Sequence, residues 1–459
     1  EATGCSGGDE NALPRSLTSL PSSLFSGCTS LKSMDLSNVK TVAGSLFKGC
    51  SALESVVLST DLEVLGDYMF QNCTSLSSIE IPSSVTSLGK YAFDGCTKLT
   101  SIDLPETLTF MGTYTFRKTG LTSIVIPSGV KSFGTSATEC AASSNVYLFA
   151  ECKSLTTVVL PANINDFKIG GYVFNNCTKL TTIKVGADGE ENVLDGVTLV
   201  AQYAFSGCGI TELSLPDVTE VGKYSFSKGD LQSISLPALT KHAEYVFSDS
   251  KKLTSVTLND ELESLAKYMF NGCTALEQIT LPSSLVFLNT YTFKGSGLKE
   301  IVIPEGVKHI GSSQNGAANV STPINTFENC ASLVKVTLPA GLETIGREVF
   351  KNCSNLTIVT YTGGAEYALP ASTRLVGNYA FQGCKSLTAL EMKGVETLGI
   401  NVFDGCSSLT SVDLSSLSTM GENVFEDCGK LLSVVLNKYL SVISEDAFLN
   451  RTPLEAIEL

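Results

Sequence analysis

Apolar positions along this chain do not keep the 3.6-residue period of a helix. They fall into a short alternation, L-x-x-[IV]-x-[IL], which is followed by a proline or polar corner and a second apolar stretch ending in phenylalanine. The segment "FDGCTKLTSIDLPETLTFMGTYTF", Phe93 to Phe116, shows the unit whole. Only about five residues alternate per unit, so each unit predicts one short strand with a single buried face. The corner then turns the chain. The stretch V-x-x-I-G-x-Y-x-F returns it through a turn or a 3₁₀-like segment.

Anchored on the phenylalanine, 18 copies run from Phe25 to Phe448, most of them 21 to 25 residues apart and four of them 31 to 34. One such unit cannot bury its apolar face alone, whereas stacked units bury a common core with their strands about 4.8 Å apart. The expected fold is therefore a leucine-rich-repeat solenoid, an α/β-type horseshoe or arc. A continuous parallel β-sheet is expected on its concave face, with short turns or 3₁₀ segments on its convex face. Residues 1–12 form an N-terminal flanking segment, and residues 13–459 form a single solenoid.

The repeats have a longer order of their own. "TYTFRKTGLTSIVIPSGVK" (Thr113 to Lys131) and "TYTFKGSGLKEIVIPEGVK" (Thr290 to Lys308) are identical at 13 of 19 positions. From Phe70 the intervals run 23, 23, 33, 25, 31, 21, 21, and from Phe247 they run 23, 23, 34, 23, 31, 22, 22. This predicts a duplicated block of about 177 residues, spanning approximately 70–246 and 247–424. Two long loops recur at equivalent places, Gly134–Tyr147 matched by Gly311–Asn325 and Gly186–Leu199 matched by Thr362–Leu375. Loops on a rigid scaffold often carry recognition; the competing reading is that these are tolerated surface insertions.

The F-x-x-C-x-x-L…I-x-L-P…I-G-x-Y-x-F unit resembles the BspA-like leucine-rich repeats, also called the Treponema pallidum type, over nearly the whole chain. That resemblance implies a surface or secreted protein of mucosal bacteria or protozoa. It also implies an adhesin for host matrix proteins or for another cell, with no catalytic residues to carry over.

Composition narrows the partners. The formal net charge of −15 argues against nucleic acid, which wants a basic surface. No apolar run approaches the ~20 residues that cross a bilayer, so this stretch of chain is expected to hold no transmembrane segment. A protein or glycan ligand is expected, with self-association as a further possibility. The chain begins and ends in mid-repeat, and this supports a rival reading: a structural protein that assembles end to end through its terminal repeats.

Catalytic chemistry finds little footing. Only His242 and His309 are present, no nucleophile or phosphate-loop motif occurs, and no cofactor is expected. The acidic loop carrying Asp188, Glu190, Glu191 and Asp195 lacks the spacing of a calcium loop and reads as solvated. Outward strand positions are mostly hydroxylated. Their charged members, Asp35, Glu80, Asp103, Lys184, Glu212, Glu300, Lys335, Glu391 and Asp413, are the candidate ligand contacts. Such a face either binds an extended basic or polar partner across many weak contacts or stays passive.

Thirteen of 15 cysteines fall three residues after the repeat phenylalanine: Cys28, Cys50, Cys73, Cys96, Cys152, Cys177, Cys208, Cys273, Cys330, Cys353, Cys384, Cys406 and Cys428. The same slot holds Thr119, Ser250 and Ser296 in other copies, so a ladder of free structural thiols is expected rather than disulfides. Cys5 and Cys140 lie outside it, and Cys5 is a weak candidate for lipidation. Eleven of 14 tyrosines sit two residues before the repeat phenylalanine and predict an aromatic stripe. That stripe either stabilises the stack or offers a surface to glycans or a neighbouring solenoid. Of six N-x-[ST] sequons, Asn319, in a long loop, is the candidate glycosylation site.

Overall fold

In the computed structural model each repeat makes one turn of a parallel β-solenoid. The structure describes residues 13–14, 16–133, 141–162, 164–311, 325–440, 442–444, 446–448 and 454–459. Cys5, Cys140, Asn319 and Asn450 lie outside these residues, as do 134–140 and 312–324 of the first pair of long loops. The chain forms two compact units, Glu1–Lys241 and His242–Leu459.

No helix occurs among the described residues, so the α/β designation reduces to β with turns. The cause is local. Each turn from Phe25 to Phe425 places left-handed residues two before and two after its phenylalanine, as at Tyr68 (φ 60°) and Asn72 (φ 60°) around Phe70. Two left-handed residues four positions apart interrupt any right-handed helix there. These positions align three backbone donors along the stack instead: Tyr68 N–H donates to Lys90 O (2.7 Å), Phe70 N–H to Ala92 O (2.8 Å) and Asn72 N–H to Asp94 O (2.8 Å). The glycine of I-G-x-Y lets adjacent turns touch there. A Cβ on Gly112 would stand 2.6 Å from the backbone nitrogen of Lys90.

Most turns carry a face strand, and most carry a second strand on the return. In the first unit the face strands pair as Ser33–Asp35 with Ser55–Val57, then Ser123–Val125 with Thr157–Leu160 and Thr182–Val185, then Glu212–Ser214 with Ser233–Leu236. In the second unit Glu300–Val302, Lys335–Leu338 and Ile358–Tyr361 form one sheet, and Ala389–Glu391, Ser411–Leu414, Ser433–Leu436 and Ala456–Glu458 form another. The return strands of that unit, from Ser264–Leu265 to Thr419–Met420, make a seven-stranded ladder.

The face sheet is thus a series of shorter sheets rather than one continuous sheet. Two interruptions are closed by the long loops at Gly186–Leu199 and Thr362–Leu375. Asn192 N–H donates to Ile183 O (2.7 Å), and Ser214 N–H donates to Asn192 O (2.8 Å), so the loop supplies an extra rung. Its amide side chain completes the rung, accepting from Ile183 N–H (2.8 Å) and donating to Thr181 O (3.0 Å). In the second unit Tyr367 and Ala368 play the same part between Val359 and Glu391. A different interruption, at residues 76–81 and 99–104, is closed by nothing among the described residues.

Inside the turns the phenylalanines stack in register. In the first unit centroids from Phe25 to Phe226 are 5.3 to 5.8 Å apart, and in the second those from Phe247 to Phe448 are 5.3 to 5.7 Å apart. Each offset pair adds about 0.5–1.5 kcal/mol beyond its burial. Inward Leu, Ile and Val of the strands pack around this column.

Candidate functional site

The face strands expose every second residue, and the candidate contacts divide by what holds them. Asp35 and Asp413 accept from the backbone N–H of Ser37 (2.8 Å) and Ser415 (3.0 Å), so each closes its own corner. The Ser37 bond lowers the Asp35 carboxyl below its ordinary value. Lys184 pairs with Glu191 (3.4 Å) of the inserted loop, and Glu391 pairs with Lys393 (2.9 Å). Glu300 stands in register with Lys335 on the next turn, and Glu391 with Asp413. Glu212 is exposed beside Leu213. Glu80 and Asp103 are exposed on the two turns where the face ladder opens. The structure therefore spreads the nine residues along the strand faces of the two units and does not gather them into one site.

Three outward positions carry exposed valines: Val57 (56% exposed) and Val125 (61%) in the first unit and Val302 (62%) in the second. Selecting candidates by charge passed over them. So did the inserted rungs, although the doubled loop intervals marked where those rungs lie.

The cysteine slot is internal. None of the 13 ladder cysteines is in a disulfide, and all but the half-buried Cys28 are buried. In each of 12 turns the thiol donates to the carbonyl of the phenylalanine one turn back, as in Cys73 Sγ to Phe47 O (3.1 Å), Cys177 Sγ to Phe149 O (3.0 Å) and Cys406 Sγ to Phe381 O (3.1 Å). Burial pushes the thiols of Cys50 and Cys152 up to about 11. Such groups are not nucleophiles near neutral pH.

The tyrosines form half-buried stacks, from Tyr68 to Tyr224 in the first unit at 4.2 to 4.8 Å and from Tyr245 to Tyr291 in the second at 4.3 and 4.5 Å. Cations lie over several rings, Arg117 over Tyr114 and Lys294 over Tyr291 among them. Desolvation against its stacked neighbours raises Tyr114 to about 12. His242 Nε2 lies 2.8 Å from Ser264 O, and His309 Nδ1 lies 2.9 Å from Thr344 Oγ1, which makes both histidines parts of the return ladder. One bond goes to a backbone carbonyl and the other to a buried threonine hydroxyl, so neither brings a second titratable group to the ring.

The sequence profile of the family described as BspA type leucine-rich repeat region matches residues 18–141, 142–191, 198–316 and 364–459. Among solved structures, the chain is similar to a leucine-rich repeat protein from Bacteroides ovatus, with 24% identity, 88% of this chain and 82% of that one covered, and a TM-score of 0.45. It is similar also to a leucine-rich cell surface protein from Faecalibacterium prausnitzii, with 19% identity, coverage of 78% and 89%, and a TM-score of 0.39. A third is a leucine-rich repeat protein of T. pallidum, with 24% identity, coverage of 43% and 77%, and a TM-score of 0.28. No curated protein matches the chain. No helix is long and apolar enough to cross a membrane among the described residues.

Proposed function

We propose, from the premise that the chain belongs to the BspA-type leucine-rich-repeat family, that it is a non-enzymatic recognition scaffold of a cell surface or the extracellular space. On this reading its strand faces bind host matrix proteins or the surface of another cell. One observation carries the proposal. Inward positions repeat the same Leu, Ile, Val, Phe and Cys from turn to turn because stacking uses them, whereas the outward positions change character along the stack. In the first unit Asp35, Val57, Glu80, Asp103, Val125, Val159 and Lys184 succeed one another, and the fold needs no such series. Varied side chains at fixed spacing on a repetitive frame suit the recognition of an extended protein surface.

The test is surface plasmon resonance of the chain over immobilised matrix proteins and glycans at physiological salt. A variant carrying Val57→Lys, Val125→Lys and Val302→Lys is run beside it. Binding that the variant loses supports the strand faces, and binding that it keeps removes them. Absence of binding across the panel, with light scattering that grows with concentration, moves the function to end-to-end assembly.

A further inference from the structure

The first unit contains an opening that the solenoid does not need. Return strands Val64–Leu65, Ser87–Leu88 and Phe110–Met111 are paired in register, and the rings of Phe70, Phe93 and Phe116 stack without a break. On the face side of the same turns, residues 76–81 and 99–104 join no β-ladder among the described residues, and between 99–104 and the following turn one bond remains at the start, Thr122 N–H to Thr100 O (3.1 Å).

The core beneath stays closed. Ile79, Ile81 and Ile102 are 7–9% exposed, much as Met34 and Val56 are in paired strands of the same unit. Between residues 101–106 and 123–127 the opening becomes a cleft of about 160 Å³. Its lining includes the buried Ile102 and Ile124 together with Ser101, Asp103, Glu106 and Val125.

We propose that this cleft docks an extended, lysine- or arginine-bearing segment of a protein partner. The inference rests on the recognition reading above and gives it a site and a ligand chemistry. Backbone N–H and C=O groups left outside a ladder are a template for an added strand. The carboxylates of Asp103 and Glu106, with Glu80 one turn back, set the charge that an occupant must complement. Glu106 also accepts from Ser128 Oγ (3.2 Å), which fixes one of its oxygens, and the neighbouring Lys131 ammonium is bonded to Ser128 O (2.9 Å). Val125 offers an apolar wall to the methylene stem of a long basic side chain, whose head then reaches the carboxylates. The duplicated block provides an internal comparison. Its residues 276–281 also lack a face ladder, but Thr280 and Ser283 stand where Asp103 and Glu106 stand in the first.

The test uses the full chain and two fluorescein-labelled ten-residue peptides, one alternating lysine with valine and one alternating glutamate with valine, read by fluorescence anisotropy. The lysine peptide is expected to bind, the glutamate peptide is not, and D103N with E106Q is expected to weaken binding roughly tenfold. A D188N and E190Q variant, altered in the acidic loop elsewhere, is expected to bind as the parent does. Hydrogen exchange at residues 101–104 is expected to slow when the lysine peptide is bound. Equal binding of both peptides, less than a twofold change in the cleft variant, or unchanged exchange at 101–104 overturns the proposal. Should the double variant melt earlier than the parent, S101K replaces it and is expected to block the cleft; unimpaired binding there also overturns the proposal. Loss of the peptide result with matrix binding intact removes this inference alone, and the reverse removes the adhesion reading alone.

Discussion

Raising the pH from 7.5 to 9.5 should unfold the first unit, although no ion pair is lost over that range. Its buried ladder thiols are Cys50, Cys73, Cys96, Cys152, Cys177 and Cys208, all at 0% exposure except Cys208 at 4%. Burial raises every one of them, Cys50 and Cys152 to about 11 and the other four further. In the unfolded chain a thiol ionises near 8.5. Above that pH the native state therefore holds six protons that the unfolded state releases, and stability falls as pH rises. The loss is about 0.4 kcal/mol per thiol at pH 8.5 and about 1.4 kcal/mol per thiol at pH 9.5, which sums over six to about 2.5 and about 8 kcal/mol. The second figure rivals the 5–15 kcal/mol typical of a whole domain. Urea unfolding followed by circular dichroism, under reducing and oxygen-free conditions at steps of half a pH unit, gives the slope. Thiolate absorbance near 240 nm should appear with unfolding and not before it. Cys73→Ser, Cys96→Ser and Cys177→Ser together should halve the slope, since serine keeps the donor and does not titrate. A urea midpoint that stays flat to pH 9.5, or thiolate appearing while the fold persists, would refute the reasoning.

Phe149→Ala should cost about 3–5 kcal/mol, because it empties the centre of a stack with Phe116 at 5.6 Å and Phe174 at 5.8 Å on either side; chemical denaturation measures it. Asn192→Ala should cost about 2 kcal/mol, since it removes two side-chain hydrogen bonds at a residue with φ 58°. Hydrogen exchange should localise that loss to residues 181–185 and 212–214. Asp94→Asn should cost about 2 kcal/mol by breaking the two-pronged contact with Arg117 (2.8 and 3.1 Å) at a carboxylate only 3% exposed. The figure is kept low because the Arg117 side chain is about a quarter exposed and screened by solvent. Thermal melts of the variant and the parent at pH 7 measure the deficit, and an unchanged melting temperature would refute it.

The turn architecture was legible because stacking makes the same demand eighteen times. A phenylalanine that must meet another phenylalanine 5.3–5.8 Å away within each unit leaves a period in the sequence. The left-handed residue two positions after it also left a trace, in Gly27, Gly49, Asn72, Gly95 and Asn176, although Lys118 and Glu151 fill the same slot in between. Its partner two positions before did not, because tyrosine is an unusual choice for φ near 60° and reads as a merely aromatic position. There the ring stack offsets a backbone preference that the residue type alone would contradict. The open cleft left no mark either. The turns at Ser78–Ile81 and Ser101–Leu104 carry the same I-x-[IL]-P pattern as the paired turn at Ser233–Leu236, so the local pattern does not decide whether a face strand pairs.

That distinction bears on where function can reside in this solenoid. A position that stacks is fixed by its neighbours above and below, so a change there propagates along the column and is felt as lost stability. The thiol of Cys96 illustrates it, donating to Phe70 O one turn back at 3.1 Å. An outward position such as Val125 or Asp103 answers to no such column. Asp103 in particular sits where the ladder has parted, free of the register that pairs Ser123–Val125 with Thr157–Leu160. Substitution there should leave urea midpoints unchanged while altering what binds, and substitution in the columns should do the reverse. The two classes of residue alternate along most face strands, one position apart, which lets a single strand serve the core and the partner without compromise between them.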